Sequence, residues 1–308
     1  MTRSILGGSI AFVVPRVSLK ILFIHNPCAG RRRRQPEIAA EIARFIAERH
    51  LDARLVPTER PGHATELAAS AVHSGCQLVV AVGGDGTMNE VARALVHTGT
   101  SLGLVPCGSG NGLALHLGLS LRPRLALASL LSGRSRLIDT GRANSEPFFN
   151  AVGLGYEAEI AAAFAARTRR GLAGYFRVGI PLLFSHRKEI CRLTHDGGVL
   201  DLKVFTLAVL NSEQYGHNVV MAPGASVDDG RLDLVAVRPV GLARAVALLW
   251  HLRRRTIDRL PELTRVSSSR FAIVRPAPAP FHLDGEPRPP VDRLEIAVQP
   301  RSLRVILP

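Results

Sequence analysis

The stretch "LVVAVGGDGTMNEVARAL", Leu78 to Leu95, decides the fold. An apolar, largely β-branched run ends in a glycine-rich loop and passes straight into a helical pattern. Strand, tight loop and helix in that order make an anion cradle, because loop amides and a helix N-terminus attract phosphate. Yet Asp85 sits in the middle of the loop, where a bare carboxylate repels phosphate. The loop asks for a partner for that charge.

The same alternation extends on both sides. "LKILFIH" (19–25) reads as a buried strand followed by the turn "NPCAG". Residues 36–50 place Ile38, Ile42, Phe45 and Ile46 at helical spacing, with Pro36 suited to a first turn. "ARLVPT" (53–58) is a second strand, 63–74 a second helix, "QLVVAV" (77–82) a third strand, 87–97 a third helix and "SLGLVP" (101–106) a fourth strand. Repeated strand–helix units imply a parallel sheet covered by helices. After about residue 140 the texture changes to "PFFNAVGL", "EICRLTHD", "VLDLKVFTLAVLN", "RLDLVAVRP", "RFAIVRP", "RLEIAVQP" and "SLRVILP". Pro, Gly and Asp punctuate these alternating runs, which predicts an antiparallel β-rich domain. Helical stretches interrupt it near 157–187 and 240–255. The expected organisation is an α/β domain over 17–140 and a β-rich domain over 141–308, and the pattern leaves open whether the last strand returns to the first.

The bulk properties bound the partners. A chain of 308 residues with 46% hydrophobic content suits two globular domains better than one. The net charge of +14 is Arg-based, since Lys occurs only as Lys20, Lys188 and Lys203. It reads either as a solvated surface or as attraction to an anionic membrane. Nucleic acid is disfavoured, because no aromatic residues interleave with the basic ones and no helix-turn-helix, zinc-finger or RNA-recognition signature occurs. Cys28, Cys76, Cys107 and Cys191 are scattered without a C-x-x-C pair, indicating neither disulfides nor zinc and a reducing, cytoplasmic setting. Pro15 and Arg16 break the apolar N-terminal stretch before a leader develops, and no run reaches the ~18 apolar residues of a spanning helix. The expectation is a soluble or peripheral protein.

Three glycine-bearing loops end successive strands: "NPCAG" (26–30), "GGDGTMNE" (83–90) and "PCGSGNG" (106–112). In a parallel sheet such loops converge on one side, where ligands bind. Glycine admits close approach of a phosphate. Thr87 and Ser109 add hydroxyls, and Asn26, Asn89 and Asn111 either fix loop geometry or meet the ligand. No G-x-x-x-x-G-K-[ST], G-x-G-x-x-G, H-R-D or D-F-G occurs, which removes P-loop proteins, dinucleotide dehydrogenases and protein kinases.

With "NPCAG" upstream and "PCGSGNGLA" downstream, "GGDGTMNEV" resembles the diacylglycerol kinase catalytic-domain family, which includes bacterial lipid kinases, sphingosine kinases and ceramide kinases. The resemblance continues through "FFNAVGLGYEAEI" (148–160), "VLNSEQYGHNVVMAPGASVDDGRLDLV" (209–235) and "HLDGE" (282–286), covering the chain from about residue 19. It implies an N-terminal parallel-sheet α/β domain similar to those of phosphofructokinases and NAD kinases, a C-terminal antiparallel β-sandwich, and ATP with Mg²⁺ in the cleft between them. Carried onto these positions, the run Gly84 to Glu90 (Gly84, Asp85, Gly86, Thr87, Asn89, Glu90) would hold ATP, with Asn26, Pro27, Thr58, Gly83, Gly108, Ser109 and Asn111 around it. Asp229 would bind a structural Mg²⁺ with the backbone carbonyls of Ser226 and Arg231. Glu286 is favoured as proton acceptor with Asp284 as its Mg²⁺-linked partner, and Asp85 would order the metal against ATP.

There are departures. Gly112 stands where many bacterial members have Asp, "GSGN" is nearer the sphingosine-kinase form, and Glu157 replaces a more usual Asp.

The activity so implied is transfer of the γ-phosphate of ATP to a primary hydroxyl of a membrane lipid, either diacylglycerol or a sphingoid base or ceramide, at the cytoplasmic face of an anionic membrane. A homodimer is compatible with it. NAD kinase shares "GGDGT", but "NPCAG" and "PCGSGNG" argue against it; intact "DGE" argues against a non-catalytic lipid- or nucleotide-binding protein. His25, His63, His116, His217 and His282 lack metal-ligand spacing and read as edge or core residues. "RRRR" (31–34) reads equally as a solvated run or as an anion contact. The stretches 239–255 and 171–188 would pack on the β domain or lie in a membrane interface, one of them bordering an acyl site.

Overall fold

The structure is a computed structural model that describes residues 19–30, 34–165, 181–182, 189–216, 219–238 and 242–308. Its first half is a parallel sheet in the order β2 (Ala53–Pro57), β1 (Ile21–His25), β3 (Leu78–Gly83) and β4 (Ser101–Pro106). Every residue of β3 is buried, as a strand covered on both faces requires. Its alternate side chains enter different cores. Leu78, Val80 and Val82 meet α1 (Gln35–Glu48) and α5 (Pro123–Ser132) on one face. Val79 and Ala81 meet α2 (His63–His73) and α3 (Asp85–Leu95) on the other. This period of two converts an apolar run into two packed layers.

The second half is antiparallel and forms a β-sandwich. Strands β5 (Arg134–Ala143), β6 (Glu146–Phe148), β7 (Ala151–Gly155), β8 (Glu189–His195), β9 (Gly198–Val204), β10 (Thr206–Leu210), β13 (Leu232–Val237), β14 (Leu263–Ser268) and β15 (Arg270–Leu283) make it up with β16 (Glu286–Leu307). A short hairpin, β11 (Gln214–Gly216) with β12 (Val219–Val220), stands apart. Helices α6 (Tyr156–Ala165) and α7 (Leu242–Arg254) lie in this half.

β16 joins the halves. It pairs with β15 and β5, and Val305 then lies parallel to Leu102 of β4. The sequence pattern separates "RLEIAVQP" from "SLRVILP", whereas the structure runs them into one strand with a bulge between Gln299 and Leu303. Arg301, at φ +50°, makes that bend and donates its amide to Asp139 Oδ1 at 2.7 Å. "VLDLKVFTLAVLN" goes the other way: it breaks at Phe205, whose amide and carbonyl leave the ladder for Val237 and Tyr156. Helices α4 (Gly112–His116) and α5 lie outside the helices that the sequence pattern predicts, although Pro123 at the first turn of α5 is a start signal. Residues 31–33, 217, and 171–188 apart from 181–182 lie outside the described residues, as do most of the expected helix 157–187 and residues 239–241.

Candidate active site

The loops after β1, β3 and β4 meet at the C-terminal edge of the parallel sheet, and glycine lets them touch. Gly30 has φ +59°, and a Cβ there would lie 2.0 Å from the Cys107 carbonyl oxygen. A Cβ on Gly108 would lie 2.5 Å from the Gly84 Cα, and one on Gly83 2.4 Å from Thr87 Oγ1. Gly30 and Gly108 are demanded by loop-on-loop contact, and Gly83 by the fold of its own loop over Thr87, before any ligand arrives. Gly86 differs. It is exposed in the first turn of α3, and a methyl group there would meet nothing within 4 Å, although glycine costs a helix roughly 1 kcal/mol relative to alanine.

Side chains complete the junction. Asn26 donates to Thr87 Oγ1 at 3.0 Å and accepts the Cys28 amide at 2.9 Å. Asn111, at φ +53°, closes a ring with Gly108 by accepting its amide at 3.1 Å and donating to its carbonyl at 2.9 Å. Both asparagines fix loop geometry. Asp85 accepts the Asn111 amide on Oδ2 and the Gly112 amide on Oδ1, each at 2.7 Å. The charge that looked unmatched in the loop is met by two amides at the start of α4, so Asp85 latches the second loop to the third. Glu90 likewise turns to protein, accepting the Ala64 amide at 3.1 Å and capping α2. Thr58 donates its amide to His25 at the end of β2, while Pro27 and Ser109 are exposed. Asn89 is buried with neither side-chain Nδ2 nor Oδ1 partnered among the described residues. An unpaired buried amide is costly, and a bound polar group would relieve it.

The second acidic turn closes the β15–β16 hairpin. Asp284 at φ +50° and Gly285 at φ +83° occupy a two-residue loop in which both positions are left-handed, as Asp-Gly favours. The Asp284 carboxylate accepts the amides of Phe149 (2.9 Å), Asn150 (2.7 Å) and Ala151 (2.9 Å). Burial pushes it up to about 6 against the pull of those amides, and Glu286 adds a little in the same direction as burial. Glu286 is held differently. Its Oε2 accepts from Arg93 at 2.8 Å and Arg288 at 3.2 Å.

Arg93 belongs to α3, eight residues beyond Asp85 and roughly 12 Å along the axis. Helix Cα–Cβ bonds tilt toward the N-terminus, the end at which the glycine-rich loop lies. The ion pair therefore ties the glycine-rich helix to the acidic turn of the other half. Sequence reasoning misses Arg93 and Arg288; a helical wheel through Asn89 and Arg93 would put the arginine on a shared face.

The third sequence-predicted group lies at a separate turn. Gly230 donates to Asp139 Oδ2 at 2.7 Å, and Asp228 pairs with Ser226 and Arg136. Burial, with Asp233 and Asp139 nearby, raises the pKa of Asp229 against the pull of the Arg231 amide, which it accepts at 2.9 Å. Among the described residues no three His, Cys, Asp or Glu side chains gather to hold a metal ion, so a cation at Asp229 would have to draw on backbone carbonyls.

The diacylglycerol kinase catalytic domain matches residues 20–143, and the YegS C-terminal NAD kinase beta sandwich-like domain matches residues 150–307. A Chromohalobacter salexigens protein named "Probable lipid kinase YegS-like" is 32% identical, over 84% of this chain and 85% of its own. The chain belongs to the diacylglycerol kinase catalytic-domain family. A Bacillus subtilis protein named diacylglycerol kinase is 26% identical over 85% of this chain and 88% of its own. A Bacillus anthracis diacylglycerol kinase structure superposes with a TM-score of 0.70 at 20% identity, over 94% of this chain and 97% of that one, and shares the fold. The family is one of kinases, and this chain is an enzyme of that kind.

Proposed function

We propose that the protein transfers the γ-phosphate of ATP to a primary hydroxyl of a membrane lipid, with residues 17–140 holding the nucleotide and 141–308 presenting the lipid. The Arg93–Glu286 ion pair carries this reading, because it holds the acidic turn against the helix that leaves the glycine-rich loop. Phosphoryl transfer is a matter of positioning and charge neutralisation. The first-turn amides of α3 lack intrahelical partners and face a phosphate, with the exposed Ser109 beside them. Gly86 leaves room for close approach, and the unpaired Asn89 amide supplies a donor and an acceptor. Glu286 accepts the proton of the lipid hydroxyl, since both Asp284 oxygens are taken up by backbone amides. Asp229, with the carbonyls of Ser226 and Arg231, would hold a structural Mg²⁺, which when bound would offset the negative charge that Asp139, Asp229 and Asp233 gather at that turn.

A peripheral position at the inner face of an anionic membrane is supported by the net charge of +14 and by the end of α7. There Trp250 is 53% exposed with the Arg254 guanidinium 5.1 Å from its ring centre and Arg253 exposed alongside. Tryptophan beside arginine suits the headgroup layer. No helix among the described residues is long and apolar enough to cross a membrane.

The test is phosphorylation of diacylglycerol, sphingosine and ceramide in mixed micelles with labelled ATP, products identified by mass, and NAD offered in parallel. A phosphorylated lipid is expected. NADP formation in its place, or no transfer across the panel while ATP still binds, overturns the reading.

A further inference from the structure

Beneath the acidic turn lies a buried polar chain that phosphate chemistry alone leaves unexplained. Glu157, at the start of α6, turns its carboxyl inward across β7. His282, on β15, is 1% exposed and sits opposite Gly153 in the ladder. A Cβ on Gly153 would lie 2.2 Å from His282 Nε2 and 2.5 Å from Glu157 Oε1, so glycine opens the slot in which the two meet. Tyr215, from β11, brings its hydroxyl to 2.6 Å from His282 Nε2 and also hydrogen-bonds Glu157. On the other side of the ring, the Gly285 amide donates to His282 Nδ1 at 3.2 Å.

That last bond sets the direction of the whole chain. An amide can only donate, so Nδ1 is the acceptor and the imidazole proton resides on Nε2. Nε2–H then donates to the Tyr215 oxygen, and the Tyr215 proton is left for Glu157. The order is Gly285 amide, His282, Tyr215, Glu157. Three polar side chains from three elements are thus committed to one backbone amide. That amide lies between Asp284 and Glu286.

We propose that His282, Tyr215 and Glu157 are positioning residues that hold the Gly285 amide and so aim Asp284 and Glu286, an inference that rests on the lipid-kinase reading above. The groups facing the chain are Arg288 on β16, whose charge acts on His282, and Asp284 in the turn with Glu286 beside it; β7 contributes no ionisable side chain. Glu157 Oε1 is buried without a partner among the described residues, and burial pushes its carboxyl up to about 8. Ionisation of Glu157 puts a buried charge at the end of the chain that draws the Tyr215 hydroxyl toward it and away from His282, so aim and turnover decline together on the alkaline side.

Steady-state kinetics with lipid micelles tests this. Tyr215→Phe and His282→Ala are expected to lower kcat about tenfold or more while KM for ATP stays within about twofold, the mark of misaimed chemistry. His282→Asn, whose carbonyl can replace Nδ1 as acceptor for Gly285, should recover most of the loss, whereas His282→Gln should not. Glu157→Gln should raise the ratio of kcat at pH 9 to kcat at pH 7. Wild-type kcat in both Tyr215→Phe and His282→Ala, no recovery in His282→Asn, or an unmoved pH ratio overturns the proposal.

The imidazole ¹⁵N shifts of histidine-labelled protein, assigned by their loss in His282→Asn, need neither substrate nor a folded alanine variant. They should show His282 protonated on Nε2 alone at pH 7; a proton on Nδ1 breaks the chain. A wild-type protein with the expected ring that phosphorylates no lipid breaks the kinase reading instead.

Discussion

Asp85 and Asp284 sit in glycine turns in different halves of the chain, and both use both carboxylate oxygens to hold backbone amides of another segment. Asp85 reaches 26 and 27 residues ahead to the first amides of α4, a helix start that favours an anion. Asp284 reaches back across 133 to 135 residues to three successive amides beside β7, where burial opposes its charge. The first is a latch inside one domain; the second staples a hairpin to the strand it leans on. Acidic residues that motif reading reserves for metal or substrate thus hold backbone in this structure, and the proposed function gives the task of meeting substrate to neighbours: Gly86 and Ser109 in one half, Glu286 in the other.

The most damaging way to break the first region is Gly108→Ala. Its Cβ meets the Gly84 backbone, which has no side chain to swing aside. Overpacking of this kind costs about 1–3 kcal/mol. A displaced loop of an ångström costs about 100-fold in turnover. Denaturant midpoints and lipid phosphorylation would read both effects, and normal activity would dissolve the loop junction as described.

Asp284→Asn should come next, because an amide –NH₂ must face a backbone donor. The expected loss is about 1–3 kcal/mol of stability, seen as a lower midpoint. The pH dependence sharpens it. In the unfolded chain both carboxyls lose their protons near the ordinary carboxylate range, whereas the folded chain keeps them until about 6 for Asp284 and about 8 for Glu157. The folded state therefore binds more protons in that window, so stability falls as pH rises through it and levels off above. Asp284→Asn should remove the part of the decline below about pH 6, and Glu157→Gln the part that continues toward 8.

A smaller effect is expected of Asp85→Asn, which keeps one acceptor for two amides and costs about 1 kcal/mol. As a latch it should lower stability and kcat while the Mg²⁺ concentration for half-maximal activity stays fixed; a shifted Mg²⁺ requirement with an unchanged melting point would return Asp85 to the metal. The smallest change is Gly86→Ala, where open space and helical backbone predict a gain of about 0.5–1 kcal/mol. ATP affinity should fall, because the methyl group enters the space left for phosphate, and calorimetry of ATP binding would show it.

Much of the first half is legible because its signals are local. "LKILFIH", "QLVVAV" and "SLGLVP" are continuous apolar runs whose lengths and flanking glycines make them strands, and the observed strands differ from those runs only at their ends. The second half is legible in class but not in register. Nothing near Phe205 announces that its backbone leaves the ladder, and nothing near Gln299 shows that the strand bends and continues, since each depends on a partner far along the chain. The site divides in the same way. Glycine loops and Asp-Gly turns mark themselves, but Arg93 is an ordinary basic residue on a helix until Glu286, 193 residues later, is folded against it. His282 reads as an edge or core residue for the same reason, and Tyr215 is not singled out at all.

By itself the sequence determined the parallel first half, the antiparallel second half and the three glycine loops, because strand length, residue periodicity and left-handed turns are properties of short segments. Only the tertiary structure decided what each polar group faces. Whether a carboxylate binds an amide, a guanidinium or a ligand is set by which groups lie within about 3 Å of it, and that distance is fixed by packing between segments 26 to 193 residues apart.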